Sequence, residues 1–117
     1  MTKKKITKKE TAKIDGKWMR SVKFEELCAD LECTWQESVL DLASVDWKGS
    51  EKNCGRLMGT DPFKVVVDEM SVAMLKGRTF EMVAFCRTPR GRILIVYGMR
   101  RTSATDRAGY KRIPAYD

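Results

Sequence analysis

Histidine is missing from all 117 residues. Its absence removes the commonest general base at neutral pH and the commonest metal ligand. The four cysteines, Cys28, Cys33, Cys54 and Cys86, never form Cys-x-x-Cys. A zinc site would have to draw thiolates from scattered positions or fill the gaps with carboxylates, so neither a metal nor another cofactor is expected. No apolar run approaches membrane-spanning length. The opening Met1-Thr-Lys-Lys-Lys-Ile-Thr-Lys-Lys lacks the apolar stretch that follows the charged start of a secretory signal. The expectation is a cytoplasmic protein without a membrane partner, its cysteines held as buried free thiols.

What the chain does have is positive charge, in blocks. The net charge is +7. Residues 1–23 hold nine bases against Glu10 and Asp15, and residues 24–50 hold seven acids against Lys48. Residues 51–76 balance, and residues 77–117 are basic again. Such segregation can serve a polyanion, or let the acidic block neutralise the basic ones internally. The length suits one domain with a modest core. The boundaries read as a mobile basic arm over 1–17 and a single domain over 18–117.

Local patterns suggest the elements. Trp18, Val22 and Phe24 share the parity of a short strand. Phe24, Leu27, Cys28, Leu31, Trp35, Val39 and Leu42 follow helical spacing, and Thr34-Trp-Gln-Glu37 has the form of a capping box. Residues 25–46 are thus one bent helix or a helical hairpin. Glycines and polar residues over 48–61 indicate a loop. The β-branched Val65-Val66-Val67 predicts a strand over 63–70, and 71–75 fits a continued strand or a helical turn. Lys76-Gly77 marks a turn. A strand over 79–87, a turn at Thr88-Pro89-Arg90-Gly91 and a strand over 92–100 make a hairpin. The second strand is apolar on both faces, which places it inside a sheet beneath the acidic helix. Residues 103–106 suggest the cap of a last helix ending before Pro114. The fold class is therefore α+β: an N-terminal helical segment packed on a three- or four-stranded antiparallel meander, closed by a short C-terminal helix.

The hairpin fixes where arginines sit, and fixed guanidinium groups suit phosphates. With Pro89 and Arg90 at the tip, Arg87 faces Arg92 and Arg78 faces Arg101. Two clusters follow, on the order of 30 Å apart at a strand's rise per residue. One is Arg87, Arg90 and Arg92. The other is Arg78, Arg100 and Arg101, joined by Arg107, Lys111 and Arg112. The bland alternative is a solvated rim of weak ion pairs.

Arg100-Arg101-Thr102-Ser103-Ala104-Thr105-Asp106-Arg107-Ala108-Gly109-Tyr110 resembles the closing motif of BrnT toxins, where two arginines end the last strand and an acid–Arg pair and a Tyr follow. Gly77-Arg78 through Arg92-Ile-Leu-Ile-Val-Tyr resembles that family's paired strands. Trp18-Met-Arg-Ser-Val-Lys-Phe24 is similar to the opening of many RelE-like proteins, the wider group of endoribonuclease toxins. The likeness covers about the last third of the chain. It implies RNA as the target and a protein antitoxin as partner; for cleavage, Arg100, Arg101 and Arg107 are the sources of positive charge, and Arg101, Arg107 and Tyr110 are the expected catalytic residues. The family's sites often use a histidine, which this chain cannot supply. Cleavage by the 2′-hydroxyl needs no metal, only a proton acceptor and positive charge at the phosphate. Here the acceptor would be Glu81, Asp106 or Tyr110.

Two other classes compete. Residues 27–39 have the cadence of a DNA-binding helix-turn-helix with the hairpin as a wing, although the reading helix would carry Glu37 and Asp41 and no base. The opposed acidic and basic blocks also suit a small inhibitor, of phage or plasmid type, that docks on a protein–nucleic acid machine.

Overall fold

A computed structural model describes residues 14–54 and 60–117, apart from the side chains of 53 and 54. The order is β1 (Lys17–Met19), α1 (Val22–Asp30), β2 (Glu37–Asp41), a 3-10 turn (Leu42–Ser44), α2 (Trp47–Cys54), α3 (Asp61–Leu75), β3 (Thr79–Glu81), β4 (Val83–Arg87), β5 (Ile93–Tyr97), α4 (Met99–Arg107) and β6 (Arg112–Tyr116). This is a mixed α+β fold. Residues 1–13 of the expected basic arm lie outside the described residues. Asp15 and Lys17 belong to the fold, because Asp15 clips onto the start of β6 through the Lys111 amide (2.7 Å) and Lys17 lies in β1.

Ser21 begins α1 by accepting a hydrogen bond from the Phe24 amide (3.2 Å), the ordinary role of a serine N-cap. The helix stops at Leu31, where the expected helical run breaks. Residues 34–36 are irregular and Glu37 opens a strand, so Thr34 caps nothing and residues 25–46 are neither a bent helix nor a helical hairpin. A helix-turn-helix over 27–39 loses its reading helix for the same reason.

The valine run forms no strand. Residues 61–75 are helical, with Pro62 in the first turn, where its missing amide costs nothing. Phe63, Val67, Ser71 and Met74 are buried at helical spacing. Val67 is 4% exposed while Val65 is 54% exposed. Burial of that stripe outweighs the few tenths of a kcal/mol by which β-branched residues disfavour a helix. The expected loop over 48–61 likewise begins with α2.

The main sheet has the order β2-β6-β4-β5, and β1 pairs with β3 in a separate parallel ribbon. It is mixed, not a meander: β6 runs antiparallel to β2 and parallel to β4. The chain's last element is thus a strand near the sheet centre, where only a closing helix was expected. Pro114 is tolerated there by register. Gln36 and Asp117 exchange both backbone bonds, and Leu42 donates to the Lys111 carbonyl. Pairs alternate between these points, so Pro114 and Val39 form a pair without ladder bonds. The missing amide of Pro114 points away from β2.

The hairpin exists, with its register moved by one residue. Arg87 faces Ile93, not Arg92, and Arg101 lies on α4, so it cannot face Arg78. No like-charged pair is forced across the ladder. β5 is an edge strand, not an inner one. Its outer side is covered by the entry to α2: the Asp46 backbone amide donates to the Ile93 carbonyl (2.9 Å), and the buried Ser50 hydroxyl accepts from the Ile95 amide (2.9 Å). The two faces of β5 differ: Ile93 and Ile95 are buried, while Leu94 is half-buried and Val96 is 42% exposed. β5 ends at Tyr97, and Gly98, with a φ of +85°, turns the chain into α4. α4 begins four residues earlier than expected and buries mostly hydroxyl residues. Thr102 and Thr105 donate to the carbonyls of Gly98 (2.8 Å) and Thr102 (2.6 Å).

Candidate nucleic-acid interface

The polar centre of the molecule lies where α1, β3, β6 and the start of α4 meet. Tyr116 is fully buried. Its hydroxyl donates to Glu25 (2.6 Å) and accepts from the Ser21 amide (2.8 Å). Arg20 closes on the same Glu25 carboxylate through two bonds of 2.7 and 2.8 Å, a bidentate geometry suited to guanidinium. That guanidinium, with the Tyr116 hydroxyl, holds the Glu25 carboxyl below the usual carboxylate range. Burial, with Glu25 beside it, pushes the Tyr116 phenol up. Phe24 stacks on Tyr116 at 4.7 Å, Trp35 meets it edge-on at 4.9 Å, and Phe24 reaches Tyr97 at 5.2 Å.

Beside this cluster stands Arg101. Its side chain is only 18% exposed, and its guanidinium lies 5.2 Å from the Tyr97 ring centre. Gly98 makes room for it: a Cβ there would come within 2.8 Å of Arg101 Nη2 and 2.7 Å of Val83. The nearest carboxylate oxygen, Glu81 Oε1, is 3.8 Å away, beyond hydrogen-bond length. Arg101 Nε is buried without a partner among the described residues. Ser21 donates its hydroxyl to that same Glu81 oxygen (3.0 Å). A half-buried guanidinium, an adjacent carboxylate and an aromatic floor thus share one surface. Chemically it can hold an anion and accept a proton next to it.

The three expected catalytic residues do not converge. Arg107 leaves α4 about 120° around the helix from Arg101 and bonds Asp68 on α3 at 2.6 Å. The Tyr110 hydroxyl donates to the Met74 carbonyl (3.1 Å), and burial raises its pKa. Asp106 sits near the end of α4 and caps no helix start. Of the expected binding residues, Arg87 pairs with Asp117 (3.6 Å) and Arg92 with Asp46 (3.1 Å). Arg78 lies over the Phe80 ring (5.4 Å). Arg90 is exposed at the hairpin tip, Arg100 on α4 and Lys111 before β6, while Arg112 is half-buried in β6.

Sequence reasoning missed Ser21, Glu25, Arg20, Trp35 and Tyr116. One signal was available: Ser21 followed by Glu25-Glu26 marks a helix start. Tyr116 carried none, since its strand went unrecognised. Among the described residues no cluster of metal-ligating side chains occurs and no helix is long and apolar enough to cross a membrane. The expected burial of the thiols holds for Cys28, whose pKa burial raises; Cys86 is half-buried and Cys33 exposed. Comparison with family models, with curated proteins and with solved structures finds no match in any of the three.

Proposed function

We propose that this protein binds single-stranded RNA through the surface around Arg101, as an endoribonuclease-like protein of the RelE/BrnT kind acting in the cytoplasm and held in check by a protein antitoxin. The observation that carries this reading is Arg101 itself, largely buried yet short of hydrogen-bond partners. A buried donor left unmet is costly, and a phosphate oxygen meets it with a charge-assisted bond. Tyr97 offers a ring beside it on which a base can stack. In the cleavage step the 2′-hydroxyl attacks the adjacent phosphorus. Glu81 takes its proton, Arg101 neutralises the non-bridging oxygens, and the 5′-oxygen leaves and is protonated by solvent.

The test is titration of a labelled single-stranded RNA and a duplex DNA into the protein across a salt series. Tighter binding of the RNA, with a steep salt slope and at least a tenfold loss on Arg101→Ala, is the expected result. Glu81→Gln should keep binding and lose cleavage. Equal RNA affinity in wild type and folded Arg101→Ala removes the proposal. A preference for duplex DNA overturns the RNA reading.

A further inference from the structure

We infer that the cleft between α2, α3 and α4 is a binding site for a single nucleobase, with guanine preferred. The cleft measures about 290 Å³ and is walled by the half-buried Trp47 indole, with Phe63 and Val67 beneath. That volume lies at the small end of ligand sites, too small for a long chain or a dinucleotide. Its faces are apolar and aromatic, which suits a flat ring. One buried polar atom there, Ser103 Oγ, has no hydrogen-bond partner among the described residues. Buried hydroxyls are normally satisfied, so this one is available to a ligand once its rotamer turns.

Charge narrows the ligand. Lys64 and Asp106 stand in the lining with opposite signs, and Arg107 is already bound to Asp68 at 2.6 Å. The site carries no excess of either sign, which disfavours an isolated phosphate and favours a neutral ring with a polar edge. An ionised Asp106 only accepts hydrogen bonds, and Lys64 only donates them. Guanine presents adjacent N1–H and N2–H₂ donors for a carboxylate and O6 and N7 acceptors for an ammonium. Adenine would turn its unprotonated N1 toward the carboxylate, and uracil and cytosine each place an acceptor beside the donor that would face it. Ser103, Asp106 and Arg107 leave α4 on the flank roughly opposite Arg101 at about 100° per residue, so the cleft and the Arg101 surface can be occupied independently.

The guanine can come from a free nucleotide or from a guanosine within RNA. Three probes separate these: GMP, AMP, and a short single-stranded RNA of adenosines with one guanosine. Binding is read by calorimetry and by Trp47 fluorescence, with Trp47→Phe identifying that signal. GMP should bind about tenfold more tightly than AMP, the usual discrimination from hydrogen bonds to a charged group. Asp106→Asn should abolish that preference and Lys64→Gln should weaken GMP. Both side chains are exposed, so neither variant threatens folding. Equal affinity for GMP and the RNA identifies a nucleotide site. Tighter RNA binding with the same Asp106 dependence identifies a guanosine in a chain. Equal GMP and AMP binding, or none at millimolar ligand, overturns the inference. A GMP affinity unchanged by Asp106→Asn also overturns it, whereas RNA binding that survives Asp106→Asn and falls with Arg101→Ala belongs to the separate Arg101 surface.

Discussion

Replacing Tyr116 by phenylalanine isolates the polar centre of the fold. The ring remains, with its contacts to Phe24 at 4.7 Å and Trp35 at 4.9 Å, so no cavity opens beyond one oxygen. What changes is the Ser21 amide, which donates to the Tyr116 hydroxyl at 2.8 Å in a fully buried position. Orphaning a buried donor costs about 1–3 kcal/mol, and a central value near 2 is the expectation for Tyr116→Phe. For a chain of this length each kcal/mol moves the melting temperature by about 4 °C, so the variant should melt roughly 8 °C lower. Urea unfolding followed by far-UV circular dichroism should show a lower midpoint with an unchanged slope. Glu25 keeps Arg20, so Glu25→Gln in the Tyr116→Phe background should add less than it does in wild type. This is the non-additivity of groups in one network. A Tyr116→Phe variant within about 0.5 kcal/mol of wild type, the size of a neutral surface change, would refute the reasoning.

Two further changes probe the fold. Val67→Ala should cost roughly 2 kcal/mol, for two buried methyl groups and incomplete collapse, whereas Val65→Ala should be neutral or slightly stabilising in a helix. Equal losses at the two sites, measured by urea unfolding, would restore the strand reading, in which both valines share a face. Stability should also depend on pH at both extremes. Glu25 titrates lower in the folded state, so its contribution is present above the ordinary carboxylate pKa and fades as pH falls through the depressed value. Tyr116 and Tyr110 titrate above the ordinary 10.0 when folded, so the folded state binds more protons and stability falls once pH rises past that point. Tyr116→Phe should flatten part of the alkaline loss in a pH series of melts.

The hairpin was legible because its turn chemistry is local: Pro89 and Gly91 sit where the chain reverses, and Gly91 takes a φ of +81°. The turn at Gly77 was legible for the same reason. α3 was misread because three consecutive valines satisfy strand propensity. Its helical stripe instead runs through Phe63, Val67, Ser71 and Met74, one of them polar. α4 hid its buried face behind Thr102, Ser103 and Thr105, and the two threonine hydroxyls are satisfied by carbonyls of Gly98 and Thr102. β6 hid behind Pro114, a residue that argues against an inner strand until the register is known. The arginine content was visible, but which guanidinium turns inward depends on Gly98 and the Tyr97 ring, and neither is marked by type or spacing.

The paired arginines do not remove the attraction for a polyanion, and the reason is burial. Arg87, Arg92 and Arg107 are each more than half exposed in their pairs with Asp117, Asp46 and Asp68. Exposed pairs of this kind hold by 0–1 kcal/mol or so, little enough for a phosphate to exchange with the carboxylate. They act with the exposed Arg90, Arg100 and Lys111 as a diffuse field, strong at low ionic strength and screened beyond about 8 Å at physiological salt. Arg101 differs because it is shielded and its carboxylate neighbour stands 3.8 Å off. A phosphate seated there is bound in a less screened place. Salt should therefore erode the contribution of Arg90 and Arg100 to RNA affinity while that of Arg101 persists. Loss of affinity for Arg90→Ala and Arg101→Ala, compared at low and high salt, should diverge; parallel curves would place Arg101 in the diffuse field with the rest.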